Sequence, residues 1–255
     1  MDIDFGRTAD DYGTHRAGFP DRFFDRVIAG GLVQPGHELL DLGTGTGSLA
    51  RGFAHRGCGV TGLDPSRELL AEAARLAGET GLEVTWVEGT AEEAGLDGDA
   101  FDVVTAGQCW HWFDRPRAAE EVCRLLRPGG RVIIAHFDWI PLTGNLVAAT
   151  EGLIEKHNPA WAYGGHTGIN REWLTDLALA GFTDLETASF DHMQRYSHAA
   201  WRGRIRASAG VAASLSPEEV EAFDRELATL LARDFPDDPL IAHHRVWWVT
   251  AVAPG

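Results

Sequence analysis

The sequence predicts an α/β fold: a doubly wound, Rossmann-like sheet of seven strands with a helical cap. Three observations predict it. From His37 onward, short apolar runs alternate with longer segments of helical period, the pattern of βαβ units and a mostly parallel sheet. The first run ends in a glycine-rich turn, Asp41 to Gly47, that opens straight into a helix. The second run ends in an acid, Asp64, followed by a proline and a serine.

The elements follow in order. Glu38 to Leu42 reads as the first strand, Ser48 to Arg56 as a helix, Gly59 to Leu63 as the second strand, and Arg67 to Glu79 as a helix with a continuous apolar stripe. Glu83 to Val87 and Phe101 to Ala106 are the third and fourth strands. Arg115 to Leu126 is a helix, and the R-P-G-G turn at Arg127 to Gly130 leads into a fifth strand, Arg131 to His136. A Gly-, Pro- and Trp-rich stretch from Asp138 to Ile169 is too long for a simple connection and reads as an insertion. Arg171 to Ala180 is a helix stopped by Gly181, Thr183 to Phe190 a strand, and Ile241 to Val252 a late strand rich in Val and Trp. Two more helices lie between those strands, Ser197 to Ala213 and Pro217 to Arg233, the second with Ser216 as N-cap.

The chain has 255 residues, a length that fits one domain better than two with separate cores. The expected organisation is a single domain over 1–255 with cap insertions at 138–170 and 191–240. Acids at the N-terminus, where a signal peptide carries basic residues, and the lack of any apolar run of roughly 20 residues predict a cytoplasmic protein without a membrane partner. The formal net charge is −16 and Lys156 is the only lysine, which disfavours nucleic acid as a partner, a Walker-type phosphate loop and Schiff-base chemistry. Cys58, Cys109 and Cys123 are not spaced as zinc ligands, and His243 and His244 are adjacent on a strand and so face opposite ways, so no metal site is expected. A monomer or homodimer is expected.

The turn D-L-G-T-G-T-G, Asp41 to Gly47, lets a ligand approach the backbone in front of a helix N-terminus. A dinucleotide fingerprint needs glycine one residue further on, where Ser48 stands, and Asp41 would repel a pyrophosphate but attract a cationic ligand. An NAD-dependent oxidoreductase is therefore the weaker enzyme reading. Asp64, in G-L-D-P-S, stands where an acid in such a sheet takes ribose hydroxyls. With E-G-T-A-E-E at Glu88 to Glu93, F-D-V-V-T-A-G-Q at Phe101 to Gln108 and L-R-P-G-G at Leu126 to Gly130, the segment from His37 to His136 resembles the class I S-adenosylmethionine-dependent methyltransferases. Within them it is similar to the small-molecule group of methyltransferase type 11 and trans-aconitate methyltransferase-like proteins.

That resemblance implies S-adenosylmethionine as cofactor, held by Asp41, Gly43, Thr44, Gly45 and Gly47 of the first turn, by Asp64, Pro65 and Ser66 after the second strand, and by Thr90, Ala91 and Glu92 beside the adenine. It also implies an N-terminal lid at 1–30, with a lid helix whose Tyr12 and Arg16 would face the methionine carboxylate. The W-H-W-F-D run within Gly107 to Asp114 looks like the trans-aconitate-type subgroup and places Gln108 and His111 near the methionine moiety and the transferred methyl. His111 is the candidate general base. His15, Trp112, Trp139 and Trp161 are the candidate acceptor-binding residues. The implied activity is methylation of a small-molecule acceptor, with oxygen favoured. C- or N-methylation in a natural-product or quinone pathway is the alternative, and a non-catalytic S-adenosylmethionine-binding module the reading from another class.

Overall fold

The structure, a computed structural model, describes residues 18–208, 210–212 and 214–255. Its strands are β1 (Glu38–Leu42), β2 (Gly59–Asp64), β3 (Thr85–Glu88), β4 (Phe101–Gly107), β5 (Leu126–Trp139), β6 (Thr183–Tyr196) and β7 (Leu240–Val252). The helices are α1 (Asp21–Ala29), α2 (Ser48–Ala54), α3 (Arg67–Glu79), α4 (Arg115–Leu125), α5 (Leu146–His157), α6 (Glu172–Leu179), α7 (His198–Arg206) and α8 (Pro217–Asp234). A short 3-10 turn, Trp110–Trp112, follows β4.

The seven strands form one sheet, as the sequence predicts, and their order is β3-β2-β1-β4-β5-β7-β6. The β1–β2, β2–β3, β1–β4 and β4–β5 ladders are all parallel. The chain winds outward from β1 in one direction to β3 and then in the other from β4, so the strand order reverses between β1 and β4. At that point the loops leaving the strand ends diverge and open a crevice.

Residue contacts divide the chain into two units, one holding 18–137, 170–190 and 246–255, the other, among described residues, 138–169 and 191–245. In the first unit, side-chain alternation along β1 sends Leu40 and Leu42 to one face of the sheet and Leu39 and Asp41 to the other. Leu40 and Leu42 join Val104, Ile134, Val122 of α4, and Trp173 and Leu177 of α6 in a single buried cluster. Trp247 and Trp248, neighbours on β7, face opposite ways. Trp247 lies 5.6 Å from Trp173, and Trp248 lies 5.6 Å from Phe23 of α1. Phe23 and Phe24 in turn pack edge-on against Phe53 of α2.

The helix α1 lies within the segment expected to be a lid, and its Phe23 and Val27 are fully buried. Their spacing, with Phe24 between, makes a one-sided apolar stripe. The expected lid contacts of Tyr12, His15 and Arg16 lie outside the described residues.

The second unit has its own core. Val147 and Ile154 of α5, Trp201 and Ile205 of α7, and Phe223, Leu227 and Leu231 of α8 are buried together. Arg202 and Arg206 of α7 both pair with Asp224 of α8. The helix α5 lies within the insertion expected over 138–169. Asn145 caps it by accepting from the Ala148 amide at 2.8 Å, and its apolar residues sit between glycines that the eye reads as loop. The three largest boundary differences lie elsewhere. β5 begins at Leu126 rather than Arg131, β6 runs on to Tyr196 rather than stopping at Phe190, and α7 ends at Arg206 rather than Ala213. No helix among the described residues is long and apolar enough to cross a membrane.

Candidate functional site

The crevice at the β1–β4 reversal is built from the residues that end those strands. Asp41 is 2% exposed, and both its oxygens are held by hydroxyls: Thr44 Oγ1 donates at 2.6 Å and Thr105 Oγ1 at 2.7 Å. Thr105 is its cross-strand partner in the β1–β4 ladder. Burial pushes the Asp41 carboxyl up to about 6 against the pull of those two hydrogen bonds, and the charge of Asp64 adds to the rise. A buried carboxylate that titrates this high is poised to gain from a cation placed beside it.

The turn after β1 is tied to the end of β2. The Thr44 amide donates to the Leu63 carbonyl at 2.9 Å, and the Gly45 amide to Asp64 Oδ2 at 2.8 Å. Asp64 Oδ1 accepts from the Ser66 amide at 2.9 Å. A carboxylate has about four lone-pair sites, so Asp64 anchors the loop with two and keeps capacity for hydroxyls. Burial raises its carboxyl above the usual range, while the Ser66 and Gly45 amides pull it back. Ser66 also caps α3, accepting from the Leu69 amide at 3.2 Å, and Pro65 is exposed beside it.

Three glycines of the turn have left-handed backbones, with φ of 58° at Gly43, 56° at Gly45 and 79° at Gly47. They serve different neighbours. A Cβ on Gly43 would lie 2.9 Å from Cys109 Sγ, and one on Gly47 would lie 2.7 Å from Trp86 Cη2, whereas one on Gly45 would meet nothing within 4 Å. Gly43 and Gly47 are thus required by the protein's own packing. Gly45 faces open space, a backbone cradle that a ligand can approach closely.

After β3, Ala91 is buried and Thr90 exposed, and Thr90 bridges to Glu93. Glu92 Oε1 accepts from the Asp114 amide at 2.8 Å, which links this segment to the N-terminus of α4. At the end of β4, Gln108 has φ of 63°, a conformation a glutamine adopts only at a cost. Its amide donates to the Ala135 carbonyl at 2.9 Å, so the ladder hydrogen bond maintains the turn. Substituting Val, whose branched Cβ tolerates this region least, is expected to lower stability by about 2 kcal/mol, while Gln108→Asn stays near wild type. Urea denaturation of both variants checks this.

Beyond Gln108, Trp110 is a core residue whose Nε1 donates to Asp176 Oδ2 at 3.1 Å. His111 and Trp112 are exposed, Trp112 to 43%, with ring centroids 4.5 Å apart. The first unit therefore brings together Asp41, the glycine turn, Asp64, Pro65 and Ser66, while Gln108, His111 and Trp112 follow directly from the end of β4, the strand beside β1. The other two acceptor candidates belong to the second unit. Trp139 is buried there with its Nε1 committed to Glu151 at 2.8 Å, and Trp161 packs against that unit's core.

Thr105, Trp86 and Asp176 were not singled out from the sequence. The signal for Thr105 was available: a lone hydroxyl in an apolar strand, opposite an acid in the neighbouring strand. Among the described residues no group of three metal-ligating side chains occurs.

Comparison with known proteins bears on the same segment. Residues 40–134 match the family described as a methyltransferase domain. An uncharacterized methyltransferase of Mycobacterium tuberculosis (strain ATCC 25618 / H37Rv) is 37% identical over 132 residues, 52% of this chain and 51% of that protein. A ubiquinone biosynthesis O-methyltransferase of Cronobacter sakazakii is 40% identical over 109 residues, 42% of this chain and 44% of that protein. The chain thus spans about half the length of the curated relatives it matches. Among solved structures, phosphoethanolamine N-methyltransferase 2 of Haemonchus contortus, bound to phosphomonomethylethanolamine and S-adenosylhomocysteine, has a TM-score of 0.57 at 20% identity, over 98% of this chain and 57% of that one. At that identity the likeness speaks for the fold.

Proposed function

We propose, from the premise that this chain carries a class I methyltransferase domain, that it transfers the methyl group of S-adenosylmethionine to a small-molecule acceptor, with oxygen as the favoured atom. The observation that carries this reading is the Gly45 cradle between two buried carboxylates, Asp41 and Asp64. The cradle fits the cofactor: Asp41 offers negative charge to an ammonium, Asp64 offers lone pairs to ribose hydroxyls, and Gly45 leaves room for close backbone approach.

When bound, the cofactor supplies a methyl group on a sulfonium, already a good leaving group. The chain's own part is orientation, exclusion of water and removal of the acceptor's proton. Thr44, Gly43 and Gly47 hold the turn, Thr90, Ala91 and Glu92 would flank the adenine, and Gln108 would face the methionine end. Tyr12 and Arg16 would take the methionine carboxylate. His111 is the candidate base, with His15, Trp112 and Trp161 as acceptor contacts. An N-terminal lid at 1–30, caps at 138–170 and 191–240 and a cytoplasmic location belong to the same proposal.

The name of the Cronobacter sakazakii relative supports oxygen, while that of the Haemonchus contortus structure keeps nitrogen open. Calorimetry with S-adenosylhomocysteine tests the cofactor, and transfer of labelled methyl from S-adenosylmethionine to fractionated extracts tests the acceptor. His111→Gln is expected to lower kcat by about 100-fold or more with little change in cofactor affinity. Binding without transfer to any fraction favours the non-catalytic module. The absence of binding overturns the whole reading.

A further inference from the structure

The turn after β4 is tied at both ends to one carboxylate. Asp176 Oδ2 accepts from Trp110 Nε1 at 3.1 Å and from Arg115 at 3.2 Å. The helix that supplies this carboxylate is itself fixed: Trp173 and Leu177 of α6 are buried in the first unit's core, and Asp176 stands three residues from Trp173 on the same side of the helix. The Asp176 side chain is 14% exposed, so both bonds are largely shielded from water. Trp110 is fully buried, and a buried indole N–H left without an acceptor is costly, so its ring cannot turn without losing this bond.

The rest of the turn packs toward the cofactor cradle. Phe113 stands edge to face with Trp110, 5.8 Å away at 70°. A Cβ on Gly43 would lie 3.1 Å from Phe113 Cζ, so the Phe113 ring rests against the glycine turn. The Asp114 amide donates to Glu92 at 2.8 Å, and the Asp114 side chain caps α4. Between these anchors stand His111 and Trp112, both exposed, with ring centroids 4.5 Å apart.

We propose that Asp176 is a positioning residue for methyl transfer: by holding Trp110 and Arg115 on one oxygen it fixes the direction in which His111 and Trp112 leave the turn. The inference rests on the methyl-transfer reading, in which those two side chains meet the acceptor. Trp110 sets the start of the turn and Arg115, the first residue of α4, its end, so a shared acceptor fixes the span between them. A misplacement of about 1 Å at the reacting atoms costs on the order of 100-fold in rate. The cofactor is held by other groups, Asp41 and Asp64, so a loosened turn lowers kcat and leaves cofactor affinity in place. Asp176→Asn keeps a carbonyl oxygen for both N–H donors, whereas Asp176→Ala removes it.

The test compares wild type, Asp176→Asn and Asp176→Ala as full chains saturated with S-adenosylhomocysteine. NMR with ring-labelled histidine and tryptophan reads the contact between the His111 and Trp112 rings as a cross-relaxation peak, assigned from its loss in His111→Gln. Wild type and Asp176→Asn should show the peak, and Asp176→Ala should lose it. Transfer of labelled methyl from S-adenosylmethionine to an accepting extract fraction should fall about tenfold or more in Asp176→Ala and less than about threefold in Asp176→Asn, with S-adenosylhomocysteine affinity within about twofold in all three. Where no fraction accepts methyl, the peak decides. A peak of wild-type strength in folded Asp176→Ala overturns the inference, even if that variant melts early, and so does absence of the peak from wild type. If Asp176→Ala does not fold, Trp110→Phe combined with Arg115→Met, which removes both donors and keeps most of their bulk, decides in its place. Loss of S-adenosylhomocysteine binding in wild type counts against the proposed function, whereas intact binding with an unmoved turn in Asp176→Ala counts against Asp176 alone.

Discussion

Asp41→Asn is expected to weaken S-adenosylhomocysteine binding by ten- to hundredfold while making the ligand-free protein more stable at pH 8. Both effects come from one buried charge. Burial raises the Asp41 carboxyl to about 6 from an ordinary value of 3.8. Between those values the folded protein holds a proton that the unfolded chain has released, so unfolding free energy falls as pH rises through the window and stays low above it. The difference corresponds to about 3 kcal/mol. Asparagine has no charge to desolvate, and the Thr105 hydroxyl, 3.5 Å from the Leu40 carbonyl, can turn there and accept from the new amide. The variant should therefore gain most of that energy at pH 8 and almost none at pH 4. Binding moves the other way, because a hydrogen-bonded charge facing an ammonium contributes roughly 1.5–3 kcal/mol. Wild-type affinity should also decline as pH drops below about 6, where Asp41 takes up its proton, and that slope should vanish in the variant. Denaturation at pH 4 and pH 8, with calorimetry across the range, measures both; equal affinity of the two proteins would remove Asp41 from the site.

How much of this was readable in the chain follows from the range of each signal. The frame from β1 to β5 is written locally: apolar runs of strand length alternating with segments of helical period. Each is decided by neighbours a few residues away, so β1, β2, β4 and α3 fall within about one residue of where periodicity puts them. The turn Asp41 to Gly47 was legible because a left-handed backbone leaves a glycine signature. What was not legible depends on partners distant in sequence. Nothing local shows that Thr105 would hold Asp41, since that needs the register of β1 on β4. The helix α5 was hidden by Gly144 and Gly152 at its edge and middle, although its cap, Asn145, was in view. The tie from Trp110 and Arg115 to Asp176 needed α6 to pack beside the turn after β4. Trp139 read as an acceptor wall because an apolar aromatic in a cap fits either role, and only the bond from its indole to Glu151 shows its commitment to a core.

The three glycines of the turn separate folding from binding. Gly47→Ala places a methyl group 2.7 Å from the Trp86 ring on a left-handed backbone, so strain and overlap act together. A loss of about 3 kcal/mol or more is expected, from about 1–2 for the backbone and the rest for the displaced indole. Gly45→Ala has the same backbone sign but no neighbour within 4 Å, so its loss should stay near 1–2 kcal/mol. Its amide is held by Asp64 at 2.8 Å, so the loop cannot shift to move the new methyl aside. A ligand lying against that backbone then meets the methyl directly, and S-adenosylhomocysteine affinity should fall at least tenfold, by about 1.4 kcal/mol or more. Thermal unfolding beside calorimetry reads the two losses separately. Gly47→Ala should melt early and, where folded, still bind; Gly45→Ala should melt near wild type and bind poorly. If Gly45→Ala binds as tightly as wild type, the ligand does not cross the second glycine, and the open space there has another use.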